Sequence, residues 1–539
     1  MTAENGPAAE DTLTALLRIH REVLEKEAVT PTDNFYDLGG NSLLGMRMIK
    51  RIAEVLGVRT PAKAVFTADC VQDLAAQVDA ARERAASAAA PADAGSGSGH
   101  RGRASMAQEW AVLASLDDPD APALQFHVVY RLRGPLDSDV LRGALQALID
   151  HHPTLRTGFR VQDGTVLQDV VAGAAADLVL EDVSRLPEDE RTDQALQILE
   201  KEVRRTFDRT TPPLVRAVLV RSAPEDHHLA LVFDHIAADG WSLDIITEDL
   251  GAAYRALATG ERPQLPPAGA YPDWAARQWE GYGNGRADEV ADYWKSQLGP
   301  DPATFALRLP GYRTNTGLSE PDALSVDVPA ETGTALHGLC RELRTTPYVV
   351  ALAALKALIA RQTGLARVTV LTSCANRLDP EFQGTVGWFA NGVFPTTDIG
   401  TAQSFRDAVE AVRETTLAAT AHGDLPAWYV RRRMWPEIPS GFRKDPGVYF
   451  MFNELWGRSL RLGDAAVEPV FLDETADSPG LHMWLLQDGA VLRLQALFHR
   501  SEYPADYVRG FAGEFLAAIA ALAGRPDEPL RDVLPHGAS

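Results

Sequence analysis

Cysteine is scarce in this chain of 539 residues, which contains only Cys70, Cys340 and Cys374. The three stand far apart, so there is no CxxC pair, no zinc-ligand spacing and no pattern of a disulfide framework. Buried free thiols in a reducing compartment are the expected state of such residues. The cysteine content therefore favours a cytoplasmic protein without a metal centre.

Positive charge is also in short supply, because 52 lysines and arginines stand against 74 aspartates and glutamates, for a formal net charge of −22. No basic stripe with interleaved aromatic residues interrupts this acidic surplus, which repels phosphate backbones. Long apolar runs are missing as well: none approaches the roughly eighteen residues of a membrane span, and the N-terminus has no signal-peptide core. We therefore expect neither nucleic acid nor a membrane as a partner.

Apolar residues make up 45% of the chain, enough to bury several cores, and the length suggests more than one domain. Leucines at helical spacing predict a helix over residues 12–26, a second helix follows Gly39-Gly40, and a third lies near residues 71–85. We interpret residues 10–83 as a small helical domain. Residues 84–103 are rich in Ala, Gly, Ser and Pro, which predicts a flexible linker.

Beyond the linker, strand and helix patterns alternate, which is typical of α/β layers with mixed sheets. The segment FRVQDGTVLQDV predicts a hairpin that turns at Asp163-Gly164, and LVRAVLV and HHLALVF predict paired strands. The same alternation recurs in the later half of the chain. We therefore predict two lobes of comparable size, residues 104–283 and 284–535.

One hydroxyl group follows two glycines and precedes an apolar-periodic helix, in the segment DNFYDLGGNSLLGM. It belongs to Ser42. Unpaired backbone amides and the helix dipole favour a phosphate group at such a position. On spacing alone, Ser42 can equally be a simple helix cap.

The pattern DxFxxLGGxS resembles the peptidyl carrier domain of nonribosomal peptide synthetases, over about residues 10–83. The positions that carry the match are Asp33, Phe35, Leu38, Gly39, Gly40 and Ser42. The resemblance implies an all-α four-helix bundle in which Ser42 carries a 4′-phosphopantetheine arm. It also implies a phosphopantetheinyl transferase as the partner that attaches the arm.

A second motif, LVFDHIAADGWS at residues 231–242, places His235 where an apolar strand ends. A side chain at that point is exposed while a rigid sheet holds its base. An imidazole there, with a pKa near neutrality, can accept or position a proton. A single histidine in such a loop can equally be a packed structural residue.

Six segments in order along the chain resemble the condensation domain of nonribosomal peptide synthetases, over about residues 104–535. They are SMAQEWAVL (105–113), HHPTLRTGF (151–159), FDHIAADGWS (233–242), YPDWAARQW (271–279), TVGWFANG (385–392) and HGDLP (422–426). The resemblance implies a multidomain chain in which an α/β chloramphenicol-acetyltransferase-like domain follows the carrier. In that family two lobes form a V, and a tunnel between them admits a carrier arm from each side.

The resemblance also assigns roles to individual residues. His235 matches the functional histidine, and Gly240 matches the glycine whose backbone lies beside the reacting thioester. Asp239 matches a structural aspartate, whose implied partner is Arg377 in TSCANR. Trp241 and Ser242 either line the tunnel or close the loop.

Asp234 departs from the family pattern, since the first histidine of the motif stands at this position in the family. Asp234, Asp239 and Ser242 also match DxxxxDxxS, the signature of heterocyclisation domains, which typically lack the residues retained here as His235 and Gly240. An epimerisation domain and a catalytically silent docking platform stay open as further alternatives, because both use the same fold.

The implied reaction joins a donor peptidyl thioester to the amine of an aminoacyl thioester, and a backbone amide near Gly240 stabilises the developing oxyanion. The implied partners are a downstream aminoacyl carrier domain and the upstream and downstream adenylation domains. No epimerisation domain lies between Ser42 and the condensation unit. By analogy with the family, this order favours an L-configured or achiral donor residue.

Overall fold

A computed structural model describes residues 11–24, 26–38, 40, 42–58, 64–65, 68–87, 101–117, 124–300, 304, 307–313, 321–377, 379–435, 447–454, 457, 459–472, 479–489 and 491–534. Gly39 of the carrier motif and residues 88–100 of the predicted linker lie outside the described residues.

The N-terminal part is helical, as the sequence predicts. Its helices are α1 (Thr12–Leu24), α2 (Ser42–Leu56) and α3 (Val71–Ser87), and residues 64–65 are also helical. Leu16 and Ile19 of α1 pack with Ile52 of α2 and Val78 of α3, and all four are fully buried. The apolar stripe of each helix therefore faces a shared core, which is what its helical spacing requires.

Both ends of the predicted linker belong to regular elements. Helix α3 continues to Ser87, and strand β1 (Arg101–Arg103) pairs with the strand at Thr165–Val170. The stretch between these elements is therefore residues 88–100, which is shorter than the predicted 84–103.

After β1 the described elements alternate between helices and strands. In chain order they are α4 (Met106–Asp117), β2 (Gln125–Arg133), α5 (Ser138–His151), β3 (Thr157–Gln162), β4 (Thr165–Val170), β5 (Asp177–Asp182), α6 (Glu188–Val203), β6 (Val215–Ala223), β7 (Asp226–Asp234), α7 (Gly240–Ala258), α8 (Tyr271–Gly281), α9 (Ala287–Leu298), β8 (Pro321–Asp327), α10 (Ala330–Glu342), α11 (Pro347–Thr363), β9 (Arg367–Thr369), β10 (Thr372–Cys374), β11 (Asn391–Val393), β12 (Thr396–Asp398), α12 (Phe405–Ala421), α13 (Ala427–Met434), β13 (Val448–Glu454), β14 (Ala466–Val470), β15 (Leu481–Asp488), β16 (Val491–His499), α14 (Ala505–Gly524) and α15 (Leu530–Val533).

The first lobe is built on a five-stranded sheet with the order β14-β2-β7-β6-β5. Strand β7 lies at its centre, antiparallel to both neighbours. Leu231 and Phe233 face a core shared with α5 and α7, whereas Ala230 and Val232 face α6 on the other side. Because helices cover both faces, β7 is apolar at every position from Leu229 to Phe233, and this explains the unbroken run LALVF.

The second lobe is built on a four-stranded sheet with the order β13-β15-β16-β8. Val448, Phe450 and Met483 point from this sheet into a core formed with α11 and α14. Each lobe thus has its own sheet and its own core, as an α/β layer architecture requires.

Strand β14 crosses between the lobes. The lobe boundaries predicted from the sequence assign residues 466–470 to the second lobe, but these residues pair with β2 of the first-lobe sheet. The preceding segment packs with it, since Leu460 and Leu462 are fully buried in the first-lobe core. One strand of the first-lobe sheet, β14, therefore comes from the part of the chain that was predicted to form the second lobe.

Within the described residues one helix, α14, is by length and composition able to cross a membrane. Its Phe511, Phe515 and Ile519 are buried in the core of the second lobe. The helix therefore buries its apolar face inside the protein. The cytoplasmic location stays a prediction.

Helix α11 carries a buried lysine. Lys356 is fully buried, and its Nζ donates hydrogen bonds to the carbonyl oxygen of Pro395 and to Oγ1 of Thr397, each at 2.7 Å. Burial lowers the pKa of Lys356 well below its usual 10.5. The folded protein therefore holds a neutral amine at a pH where the unfolded chain still binds the proton.

We expect this lysine to make stability depend on alkaline pH. Between the lowered pKa and about 10.5 the unfolded state binds more protons than the folded state, so the free energy of unfolding rises with pH by up to about 1.4 kcal/mol per unit. Lys356→Met removes this contribution. In urea unfolding at pH 7 to 9.5, the free energy of unfolding of the wild type should therefore rise with pH relative to that of Lys356→Met.

Tryptophan fluorescence is the suitable probe, since all ten tryptophans lie between residues 110 and 484. Lys201→Met is the matched control, because Lys201 is exposed on α6. A gap between wild type and Lys356→Met that stays constant with pH contradicts the assignment.

Candidate active site

The end of β7 positions His235. The backbone N–H of His235 donates to the carbonyl oxygen of Leu124 at 2.8 Å, which holds the residue beside the start of β2. One residue later, the N–H of Ile236 donates to Oδ1 of Asp234 at 3.0 Å and turns the chain out of the sheet. The imidazole therefore stands on a rigid base at the end of a buried strand.

Two aromatic rings enclose the imidazole of His235, which is half-buried. Its centroid lies 5.2 Å from that of Phe126 and 4.7 Å from that of Trp388. Nδ1 is buried and makes no hydrogen bond with the described residues. Burial lowers the pKa of His235 below 6.5, and the loop backbone and the carboxylates of Asp239 and Asp234 oppose this effect only in part. At neutral pH the ring is therefore uncharged and able to accept a proton.

Asp239 connects the histidine loop to a second segment of chain. As the N-cap of α7 it accepts a hydrogen bond at Oδ1 from the N–H of Ser242 at 2.9 Å. Its Oδ2 accepts from the N–H groups of Phe389 and Ala390, each at 3.0 Å. Burial alone raises the pKa of Asp239, but Arg377 and Ser242 outweigh it, so the pKa lies below 3.8 and the side chain is charged.

Arg377 is the partner of Asp239, at the place that the resemblance implied. Its Nη2 lies 2.9 Å from Oδ1 of Asp239, and both side chains are at most 1% exposed. Nη1 donates to the carbonyl oxygens of Phe382 and Thr385 at 3.0 and 2.6 Å, and the guanidinium lies 4.0 Å above the ring of Phe389. One arginine thus shapes the whole 382–389 turn.

Ser242 completes this network. Its Oγ lies 2.7 Å from Oδ1 of Asp239 and 3.0 Å from the carbonyl oxygen of Gly387, and it accepts from Arg377 and from the N–H of Gly387. The side chain is fully buried. Of the two roles that the sequence left open, this geometry supports closing the loop.

Gly240 and Trp241 begin helix α7. The N–H of Gly240 belongs to the first turn, where the helix itself provides no acceptor. Trp241 is half-buried, and its indole N–H donates to the carbonyl oxygen of Gln383 at 3.0 Å. The helix start therefore brings a backbone donor into the loop that follows His235.

The position of Trp388 depends on Tyr271 of α8. The hydroxyl of Tyr271 donates to the carbonyl oxygen of Trp388 at 2.6 Å. A Cβ atom on Gly387 would lie 2.1 Å from the Tyr271 ring, so this position requires glycine. The contact sets the backbone from which Trp388 reaches His235.

Asp234 faces away from this network and forms an ion pair of its own. Arg209 binds both carboxylate oxygens, with Nε–Oδ2 at 2.8 Å and Nη2–Oδ1 at 3.1 Å. The side chains are 15% and 5% exposed for Arg209 and Asp234. The sequence left the effect of Asp234 open, and it had not indicated Arg209 as its partner.

The sequence did not indicate three further residues of the site, namely Phe126, Trp388 and Tyr271. Trp388 and Tyr271 lie inside segments that the resemblance had matched, so the motif was visible but the individual contact was not. Phe126 belongs to a strand with no motif. Its only signal is an aromatic residue in the strand-like segment QFHVVYRLR.

One group of side chains in the described part of the chain could hold a metal ion, namely His151, His152 and Asp249. Nε2 of His152 lies 2.8 Å from Oδ2 of Asp249, and Nε2 of His151 lies 2.8 Å from the carbonyl oxygen of Pro266. Each imidazole thus has a protein partner at hydrogen-bond distance, which accounts for the cluster as packing of α5 against α7.

The carrier segment presents Ser42 as the first residue of α2. Just before it, a Cβ atom on Gly40 would lie 2.4 Å from the ring of Phe35, so this approach admits only glycine. Asn34 holds the loop, since its amide donates to the carbonyl oxygens of Ala68 and Asp69 at 3.2 and 3.1 Å. A fixed loop that ends at a helix N-terminus fits a phosphate-linked group.

Arg377→Met should destabilise the protein strongly, because it leaves the carboxylate of Asp239 buried without its cation. Breaking one side of a buried pair costs about 3–5 kcal/mol. Arg133→Met is the control, since Arg133 forms an exposed pair with Glu468 at 2.8 Å, and such a pair contributes about 0–1 kcal/mol. Urea unfolding followed by tryptophan fluorescence measures both, and equal losses contradict the role assigned to Arg377.

Comparison with known proteins agrees with this geometry. The family model described as Condensation domain matches residues 103–535, and the model described as Phosphopantetheine attachment site matches residues 14–78. The chain is 30% identical to the cyclosporin synthetase of Tolypocladium inflatum over 100% of its own length and 4% of that relative. It is 33% identical to the dimodular nonribosomal peptide synthase of Bacillus subtilis over 76% of its own length and 17% of that relative. It therefore spans a small part of the curated relatives that it matches.

Two solved structures share the fold. The first condensation domain of the calcium-dependent antibiotic synthetase, in complex with a substrate analogue, aligns with a TM-score of 0.67 and 20% identity over 80% of this chain and 99% of that one. The X-domain from teicoplanin biosynthesis aligns with a TM-score of 0.69 and 20% identity over 80% and 97%. The predicted fold class, a helical carrier followed by an α/β domain of this type, is confirmed.

The model matched at residues 14–78 also confirms that the N-terminal domain is a phosphopantetheine attachment domain. With four-fifths of its residues covered by one family model, the chain belongs to the condensation-domain family of nonribosomal peptide synthetases and carries a phosphopantetheine attachment domain ahead of it.

Proposed function

We propose that the chain holds a donor acyl group on an arm attached to Ser42, and that its condensation domain transfers this group to an amine. The acceptor is the aminoacyl group of a downstream carrier domain. The observation that carries the proposal is the half-buried imidazole of His235, held at the end of β7 where the loop to Gly240 and α7 begins. When bound, the phosphopantetheine arm supplies a thiol that presents the acyl group as a thioester.

The roles of the protein residues follow from their surroundings. His235 is uncharged at neutral pH, so its exposed edge can accept the proton of the attacking amine or hold that amine by a hydrogen bond. The N–H of Gly240 lies in the first turn of α7, where the helix provides no acceptor, and it donates to the carbonyl oxygen on which negative charge develops. Asp239, Arg377 and Ser242 hold the loop in shape. Positioning supplies most of the rate, because a thioester is already reactive.

The place of the carrier supports its role as the donor. Helix α2, which starts at Ser42, lies next to the turn Pro380–Phe382, whose last carbonyl oxygen accepts from Arg377. Asp37 and Asp69 of the carrier lie 4.0 and 3.8 Å from Arg344. The carrier thus meets the condensation domain near the network that holds the histidine loop.

Carrier loading needs a phosphopantetheinyl transferase and an upstream adenylation domain, and the acceptor needs a downstream one. The order of the two domains, with no epimerisation domain between them, favours an L-configured or achiral donor residue. A flexible chain as long as the stretch between α3 and β1 would have a root-mean-square span of about 20 Å, so the arm itself must cover much of the path.

Ser42→Ala should abolish attachment of the arm. Incubation with a phosphopantetheinyl transferase and coenzyme A, followed by intact-mass analysis, should show one arm on the wild type and none on the variant. A labelled second site, or a labelled Ser42→Ala chain, contradicts the assignment of Ser42.

His235→Ala should fold normally and lose about 10²- to 10⁴-fold in the rate of product formation, which is the usual contribution of a proton-transferring group. The assay combines the donor-loaded chain with an aminoacyl carrier and follows the elongated product by mass spectrometry. His337→Ala, on α10 of the second lobe, is the histidine control and should retain the wild-type rate. An unchanged rate for His235→Ala shows that this residue does not take part in the reaction.

A further inference from the structure

The two carboxylates that flank His235 in the sequence each have an arginine of their own. Asp239 pairs with Arg377, and Asp234 pairs with Arg209 through both carboxylate oxygens. All four side chains are largely buried, where a charge interacts more strongly than in water. The net charge of the groups that flank His235 in the loop is therefore zero, although two of the residues there are acidic.

Arg209 is fixed from several directions. Its Nη1 donates to the carbonyl oxygen of Ala111 in α4 at 2.9 Å. Its own carbonyl oxygen accepts from the N–H of Phe159 in β3 at 2.8 Å. Because the guanidinium is tied to α4 and the backbone to β3, Arg209 holds Asp234 in one orientation, and Asp234 Oδ1 in turn holds the N–H of Ile236.

The charge of Asp234 bears directly on the imidazole. A carboxylate without a partner a few ångströms from an imidazole favours the protonated ring. A protonated ring has no lone pair with which to accept the proton of an amine. An unpaired Asp234 would therefore oppose the chemistry that the proposed function assigns to His235.

The other elements packed around His235 add little charge. Phe126 of β2 and Trp388 carry none. Helix α4 brings Glu109, which is paired with Arg103 at 2.9 Å. Tyr271 of helix α8 stays neutral, because burial raises its pKa far above the ordinary value. Burial is the largest influence on the pKa of His235, and the nearby charges that add to it are the carboxylates of Asp239 and Asp234 with their paired arginines.

We propose that Arg209 is a positioning residue of the reaction, which neutralises Asp234 and fixes the first residue of the motif so that His235 stays an uncharged proton acceptor. This inference rests on the proposed function for its catalytic meaning but not for its electrostatic content. It also explains how an aspartate can stand at position 234 beside a functional histidine: Arg209 offsets part of the charge that the aspartate introduces, and the pKa of His235 stays below 6.5.

The test measures the titration of His235 directly, by NMR of the full chain labelled with ¹³C at the histidine Cε1 position. The spectrum of His235→Ala identifies the signal among those of the 13 histidines. Arg209→Met should raise the pKa of His235 by about 1 unit, as expected when a nearby carboxylate loses its partner. Asp234→Asn should lower it, because Arg209 is then unpaired, and the double variant should return it to the wild-type value.

Two controls separate charge from structure. Arg209→Lys keeps the cation and should keep the pKa of His235 near the wild-type value. Arg205→Met removes an exposed arginine, paired with Asp177 at 3.1 Å, and should leave it unchanged. An unchanged pKa in Arg209→Met overturns the proposal. If that variant does not fold, Asp234→Asn decides: a pKa that is not lowered overturns the proposal as well.

Activity provides a second, independent readout. Because only the neutral ring accepts a proton, a raised pKa moves the acid limb of the pH–rate profile of Arg209→Met to higher pH by the same shift. If wild type forms no product, the proposed function fails while the NMR result still decides the role of Arg209. If wild type is active and Arg209→Met keeps the wild-type acid limb, the proposed function stands and the role of Arg209 is refuted.

Discussion

The buried ion pair between Asp239 and Arg377 is the interaction on which the site depends. Asp239 belongs to the loop after β7 in the first lobe, and Arg377 belongs to the chain between β10 and β11. Each removes a full charge from water, which is costly, and that cost is offset because nearly every polar atom of the pair has a partner. The cluster therefore joins two distant parts of the chain in one geometry.

This constraint explains several neighbouring residues. Ser242 is small enough to lie inside the cluster, and its hydroxyl connects Asp239 to the backbone of Gly387. Gly387 leaves room for Tyr271, whose hydroxyl sets the carbonyl of Trp388. Trp388 then covers one face of His235. The imidazole is thus enclosed by rings on a backbone that the ion pair has fixed.

The sequence predicted much of this arrangement, and the reasons for its failures are physical. The apolar run before His235 predicted a paired strand, and the run is unbroken because both faces of β7 are covered. The Asp239–Arg377 pair could be predicted only through the family resemblance, since 137 residues lie between the partners. Arg209 carried no signal, because an arginine 25 residues before its partner looks like any surface residue. Strand β14 was missed because a five-residue strand that contains Pro469 has a weak strand pattern.

The decisive experiment for the condensation reaction measures the mass of the product when the wild-type chain, loaded with a donor at Ser42, meets an aminoacyl carrier. We expect the donor to leave Ser42 and the acceptor to gain it as an amide, with no further change in mass. Loss of an additional water would indicate heterocyclisation, and an inverted stereocentre without transfer would indicate epimerisation. Donor and acceptor recovered unchanged would contradict the claim that His235 stands in a working condensation site.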